Sequence, residues 1–160
     1  PLRQALKEHY SAIEEAKADI AGLWALERLG SEGVIDAQIG KDMYVTFLAS
    51  MFRSIRFGVN EAHGRGIAMQ LNWMLDNGAI TVNTDGTFAI EQAKIKHAVA
   101  ALTGEFLTRE AEGDYDKAAD FVKRLGIVRP EVQRVLDKLQ DVPVDIEPIF
   151  ATAEKLTVAK

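Results

Sequence analysis

In the hexapeptide EEAKAD, residues 14–19, the adjacent acids Glu14 and Glu15 are followed about one helical turn later by Asp19. At about 100° per residue, Glu15 and Asp19 share one side of a helix with Ser11, Gly22 and Leu26, and Glu14 lies on its flank. The IAGLWAL that follows offers no polar stripe to water, so the helix is expected to be buried on all sides there. A carboxylate at the mouth of a buried helix needs a cation, a metal or several hydrogen bonds. Two readings stay open. One is a solvated charged turn with a Glu14–Lys17 pair, worth about 0.3 kcal/mol. The other is a metal-ligating acid with supporting acids beside it, which suits zinc because ligating histidines donate their second N–H to a carboxylate.

A second stretch, FRSIRFGVNEAHGRGIAMQLNWML at 52–75, sets His63, Gly64, Arg65 and Gly66 inside or at the start of a helix. Each interior glycine costs about 1 kcal/mol relative to alanine, so something must compensate. Glycine lets another backbone or a peptide ligand come close. His63 can then donate to a developing oxyanion, while Arg56 or Arg65 pairs with a carboxylate. The plainer alternative is a locally bonded histidine with glycines that serve helix packing. His9, His63 and His97 are the only histidines, and there is no cysteine and no HExxH, HExxGH or ExxH motif. This chain cannot complete a familiar zinc site on its own.

The elements that must carry these residues are mostly helical. Apolar residues at spacings of three and four predict helices over about 3–29, 41–57, 60–76 with Asn60 as cap, 90–112, 114–125 and 130–140. AITV and TFAI flank Asn83–Gly86 and predict one short β-hairpin at about 79–90. Prolines at 143 and 148 predict an extended run over 141–150 before a last short helix. The fold class is therefore mainly α, a multi-helix single domain over 1–160 with one hairpin.

Bulk properties narrow the partners. A net charge of −5 disfavours nucleic acid, and no apolar run reaches the roughly 18 residues of a membrane span. The lack of cysteine accords with a reducing compartment, and a cytoplasmic location is expected. Neither a P-loop nor a Nudix-type cluster of acids is present, which leaves little for a nucleotide hydrolase.

Taken in order, EEAKAD and NEAHGRG resemble the bacterial members of the dipeptidyl-peptidase III family of zinc metallopeptidases. The likeness extends through QALKEHYSAIEEAKADIAGLWAL and the tail VRPEVQRVLDKLQDVPVDIEPIF. It implies that Glu15 is the third zinc ligand, that Glu14 and Asp19 buttress the ligating histidines, and that His63 binds substrate and steadies the transition state. Arg65 stands two residues after the histidine, where other members carry an arginine four residues after it. The HExxGH or HExxH that supplies two zinc ligands and the general base is not in this chain. The expectation is a C-terminal part of a catalytic region. It needs the missing N-terminal part as partner, acts on short peptides when joined to it, and is metal-free and inactive alone. A helical peptide-binding or scaffold module that performs no chemistry is the alternative.

Overall fold

The computed structural model describes residues 1–143 of the chain, the side chains at 37 and 41 apart. The helices are α1 (Leu2–Leu6), α2 (Tyr10–Ser31), α3 (Ala37–Ile55), α4 (Ala62–Asp76), α5 (Gln92–Glu112), α6 (Tyr115–Leu125) and α7 (Pro130–Lys138). Strands β1 (Ile80–Val82) and β2 (Phe88–Ile90) pair antiparallel between α4 and α5, with Ile80 opposite Ile90. The expected mainly α fold with one hairpin is what forms. No described helix is long and apolar enough to cross a membrane.

Helix α2 is the central element. Ala12, Ile13, Ala16, Ile20 and Leu23 are buried along one face, the stripe that its apolar spacing requires. Met69 and Met74 of α4, Leu102 and Phe106 of α5, and Phe121 of α6 complete a continuous core. Phe106 and Phe121 meet edge to face at 5.5 Å, the arrangement ring quadrupoles favour. The other side of α2 corrects the expectation for IAGLWAL. Trp24 is 43% exposed, Leu26 41% and Leu29 37%, and Gly22 is also exposed. Leu26 lies beside an apolar groove shared with Ile39 and Phe47 of α3, so the described residues cover α2 on one side only.

Three boundaries also differ from expectation. The first helix breaks at Lys7, whose φ is 49°, and passes through a 3₁₀ turn at Lys7–His9. Tertiary contacts hold that break: Tyr115 donates its hydroxyl to Glu8 at 2.6 Å, and the Lys7 ammonium lies 4.7 Å above the Tyr115 ring. Helix α3 begins earlier than expected because Asp36 accepts from the Gln38 amide at 2.8 Å. Helix α4 is capped by Glu61 rather than Asn60. The Glu61 carboxylate accepts from the amides of His63, at 2.8 Å, and Gly64. Position 144 onward, which includes most of the expected extended run and the last short helix, lies outside the described residues.

Polar contacts tie the periphery to this frame. Wholly buried Asn72 donates to the carbonyls of Leu125, at 2.7 Å, and Ile127, at 2.8 Å, which fixes the link between α6 and α7. Arg129, at the start of α7, grips Asp76 with both terminal nitrogens at 2.6 and 2.9 Å. That fork holds the Asp76 carboxyl below its usual range. A depressed carboxyl contributes stability above its unfolded pKa and loses it as the pH falls through the folded value. Because Asp76 is 46% exposed, Arg129→Met should cost only about 0.5–1 kcal/mol at neutral pH. Urea titrations should show the deficit fading below about pH 4.

Candidate functional site

The site forms where α4 crosses α2, and glycine permits the crossing. A β carbon on Gly66 would lie 3.1 Å from the Ala12 carbonyl oxygen and 3.2 Å from the Ala16 amide nitrogen. Backbone therefore meets backbone there with nothing between. A β carbon on Gly64 would run into the carbonyl oxygen of Gly58, so the 58–60 loop folds back onto the first turn of α4. The close partner that the glycines of EAHGRG admit is thus this chain's own backbone, twice.

Close crossing brings the two motifs together. His63 Nδ1 stands 3.2 Å from Glu15 Oε2, with side chains 66% and 39% exposed. One turn along α2, Asp19 is half-buried, and burial pushes its carboxyl above the usual carboxylate range. Against that, the polar side chain of Gln70 and the charge of His63 pull downward, while Glu15 adds to the rise. Gln70 is wholly buried on α4, with Nε2 3.3 Å from the Gly66 carbonyl and Oε1 without a partner. Nothing in the sequence singled out Gln70. Its available signal was register, since it stands seven residues beyond His63 on the same face of the helix.

The other expected residues have different company. Lys17 donates to Glu14 Oε1 at 2.7 Å, the pair open from the spacing, and also to Glu110 Oε2 of α5 at 2.9 Å. Lys17 foremost, then Glu110, holds the Glu14 carboxyl low, while burial foremost, then Glu14, pushes Glu110 up. Lys17 thereby fastens α2 to α5, with Glu14 as its second acceptor. Arg65 Nε donates to the Val59 carbonyl at 2.8 Å, and its aliphatic stem lies against Gly126. Arg56 donates to the Val142 carbonyl at 2.7 Å and reaches that of Leu139 at 3.4 Å, tying α3 to the end of α7. Both guanidinium groups are thus engaged with backbone.

Among the described residues, no three His, Cys, Asp or Glu side chains gather closely enough to hold a metal. Glu15 offers one accessible carboxylate oxygen donor, and Asp19 a desolvated carboxylate one turn behind it. That donor set fits one wall of a zinc site, with further ligands to come from elsewhere.

No family model matches the chain. It is 44% identical over 157 residues to Nudix hydrolase 3 of Arabidopsis thaliana, covering 97% of this chain and 20% of that protein. Among solved structures, it superposes on dipeptidyl-peptidase III from Corallococcus sp. strain EGB with a TM-score of 0.90 and 55% identity, over 98% of this chain. DPP III from Caldithrix abyssi gives a TM-score of 0.89 and 38% identity over 97%. The chain spans 29% and 30% of those two proteins' lengths. The same 160 residues thus carry both likenesses, and they contain the EEAKAD and EAHGRG segments without a Nudix-type acid cluster. By sequence identity and fold together, the chain belongs to the dipeptidyl-peptidase III family, as a stretch matching under a third of the length of its solved members.

Proposed function

We propose that this chain forms one wall of the active site of a zinc-dependent peptidase that cleaves short peptides. The observation that carries the reading is the 3.2 Å approach of Glu15 to His63 across the Gly66 crossing, with Asp19 behind. Glu15 is then the zinc ligand contributed by α2, and Asp19 orients a histidine ligand supplied by the rest of the longer protein. Zinc bound there supplies Lewis-acid polarisation of the scissile carbonyl and of water.

This chain's own part is to bind and orient. A carboxylate only accepts, so the 3.2 Å ion-pair contact with Glu15 favours a proton on His63 Nδ1. That contact fixes the imidazole plane and turns Nε2 toward the substrate. In the imidazolium form Nε2 donates to the oxyanion that develops on the carbonyl. Glu14 acts at one remove, by pairing with the Lys17 ammonium that ties α2 to α5. Arg56 and Arg65, satisfied by backbone carbonyls, are left out of the substrate contacts. The general base and two ligands come from the remainder of the protein, so the 160-residue chain alone is inactive and holds zinc poorly.

The test compares zinc content and peptide hydrolysis of the full-length protein with those of its Glu15→Ala variant. Loss of a direct ligand should weaken zinc at least as much as loss of a supporting residue, roughly 100-fold or more, and abolish hydrolysis. Unchanged zinc affinity would remove Glu15 from the ligand set and leave a helical binding module as the better reading.

A further inference from the structure

We infer that the apolar groove between α2 and α3 docks an amphipathic helix with basic flanks, supplied by the longer polypeptide from outside these 160 residues. The inference rests on the reading above at one point, that the rest of the protein lies over Glu15 and Asp19. Buried Leu23 and Met43, with half-buried Phe47, make the floor of the groove. Leu26, 41% exposed, and Ile39, 45% exposed, stand beside it as walls. On α3 the lining follows one helical stripe, because Ile39, Met43 and Phe47 recur at intervals of four. Apolar surface gathered into a groove of about 660 Å³ marks a docking surface, unlike apolar residues scattered singly. A groove between two helices receives the apolar ridge of a third.

Three observations select the occupant. The first is length: the chain spans 29% and 30% of its solved relatives, so most of a protein of that size lies outside it. The second is placement. Glu15, Asp19, Gly22 and Leu26 fall on one side of α2, and Leu26 stands about 10 Å beyond Asp19 along the helix. Polypeptide that delivers ligands over Glu15 and Asp19 therefore continues over Gly22 and Leu26. A β carbon on Gly22 would meet nothing within 4 Å, so a covering backbone can pass close there. The third is charge. Asp36 and Asp42 are exposed at the rim, each with one carboxylate oxygen taken by Gln38. Among the described residues that line the groove there is no Lys, Arg or His to balance them. Lys or Arg beside the incoming ridge would. A second copy of this chain suits the groove badly, because a two-fold contact sets the same acidic rim against itself.

The test uses the full-length protein with Ile39 replaced by photoreactive p-benzoylphenylalanine, and Glu15→Ala alongside for zinc affinity. Irradiation and peptide mass mapping identify the neighbour of position 39, and mixing isotope-labelled with unlabelled protein separates links within one molecule from links between two. The expected link lies within one molecule and joins α3 to a peptide from outside the 160 residues that carries apolar residues with Lys or Arg beside them. A link between two molecules, a link to residues 144–160, or no link to protein would each overturn the inference. If the bulky label prevents folding, Ile39→Cys decides. Its reaction with a maleimide should be at least about tenfold slower in the native protein than in urea, since a covered thiol reacts only through local opening. That protection should survive dilution, because mass action does not loosen an intramolecular covering. A native rate near the unfolded one, or protection lost on dilution, would overturn the docking. Adding Asp42→Lys should speed the native reaction several-fold by repelling the basic flank, and an unchanged rate would overturn that flank. An intramolecular link beside unchanged zinc affinity in Glu15→Ala would overturn the zinc reading and support the docking. Weakened zinc beside a link between molecules would overturn the docking alone.

Discussion

Replacing Gly66 with alanine should destabilise the folded chain by about 1–3 kcal/mol, the usual cost of forcing a methyl group into a filled contact. The sign is the informative part. In an unobstructed helix interior, glycine to alanine gains about 1 kcal/mol, because alanine loses less backbone freedom on folding. At position 66 the new methyl would meet the Ala12 carbonyl at 3.1 Å and the Ala16 amide at 3.2 Å. Both are backbone atoms of α2, and no side-chain rotation can move them aside. The helices must part by a few tenths of an ångström, and the contact between Glu15 and His63 lengthens with them. Urea midpoints measure the first effect, and a crystal structure of the variant measures the second. A variant more stable than wild type, with the contact still at 3.2 Å, would show that Gly66 does not set the crossing.

That crossing marks where sequence reasoning stopped. The buried stripe of α2 was legible because five apolar residues fall at helical spacing, and the hairpin because Asn83–Gly86 supplies turn chemistry between apolar runs. EEAKAD and EAHGRG were visible as unusual, and the glycines pointed to a close partner. Which partner was not legible, since register between two helices depends on the whole core and not on either helix. Gln70 shows the same limit. A glutamine within a helix carries no motif, and its burial comes from α2, some fifty residues away. The Lys7 break was hidden for a related reason, as the residue that holds it, Tyr115, lies far along the chain. The opposite error arose at IAGLWAL. Its apolar character was read as burial, whereas Trp24, Leu26 and Leu29 stay partly exposed in a chain that spans under a third of its solved relatives. Apolar composition reports that a surface favours a covering and leaves open which part of a protein provides it.

The acids of EEAKAD differ in their work, and Lys17→Met separates them. Lys17 lies between Glu14 of α2 and Glu110 of α5, and the Glu110 side chain is only 11% exposed. Removing the ammonium leaves two carboxyls facing each other with one oxygen of Glu110 already buried and unpartnered. The loss of a buried charged partner would cost more, but Glu14 is 38% exposed and water screens it, so about 1–3 kcal/mol is expected at neutral pH. The pH dependence follows from opposite shifts in the native protein. Glu110, raised by burial and then by Glu14, contributes stability below its unfolded pKa and loses it as the pH rises through the folded value. Glu14, lowered first by Lys17, contributes above its unfolded pKa and loses it as the pH falls. The two slopes oppose each other in the wild type. Without Lys17 the downward pull on both groups disappears and both carboxyls move up, so the variant's deficit is largest near neutrality. It should shrink as the pair protonates toward about pH 4. Urea denaturation of both proteins across that range measures it, and a deficit independent of pH would refute the shared cation. Zinc affinity in the full-length protein should change far less than in Glu15→Ala, because Lys17 ties down the helix that carries Glu15, whereas Glu15 is the residue proposed as the ligand.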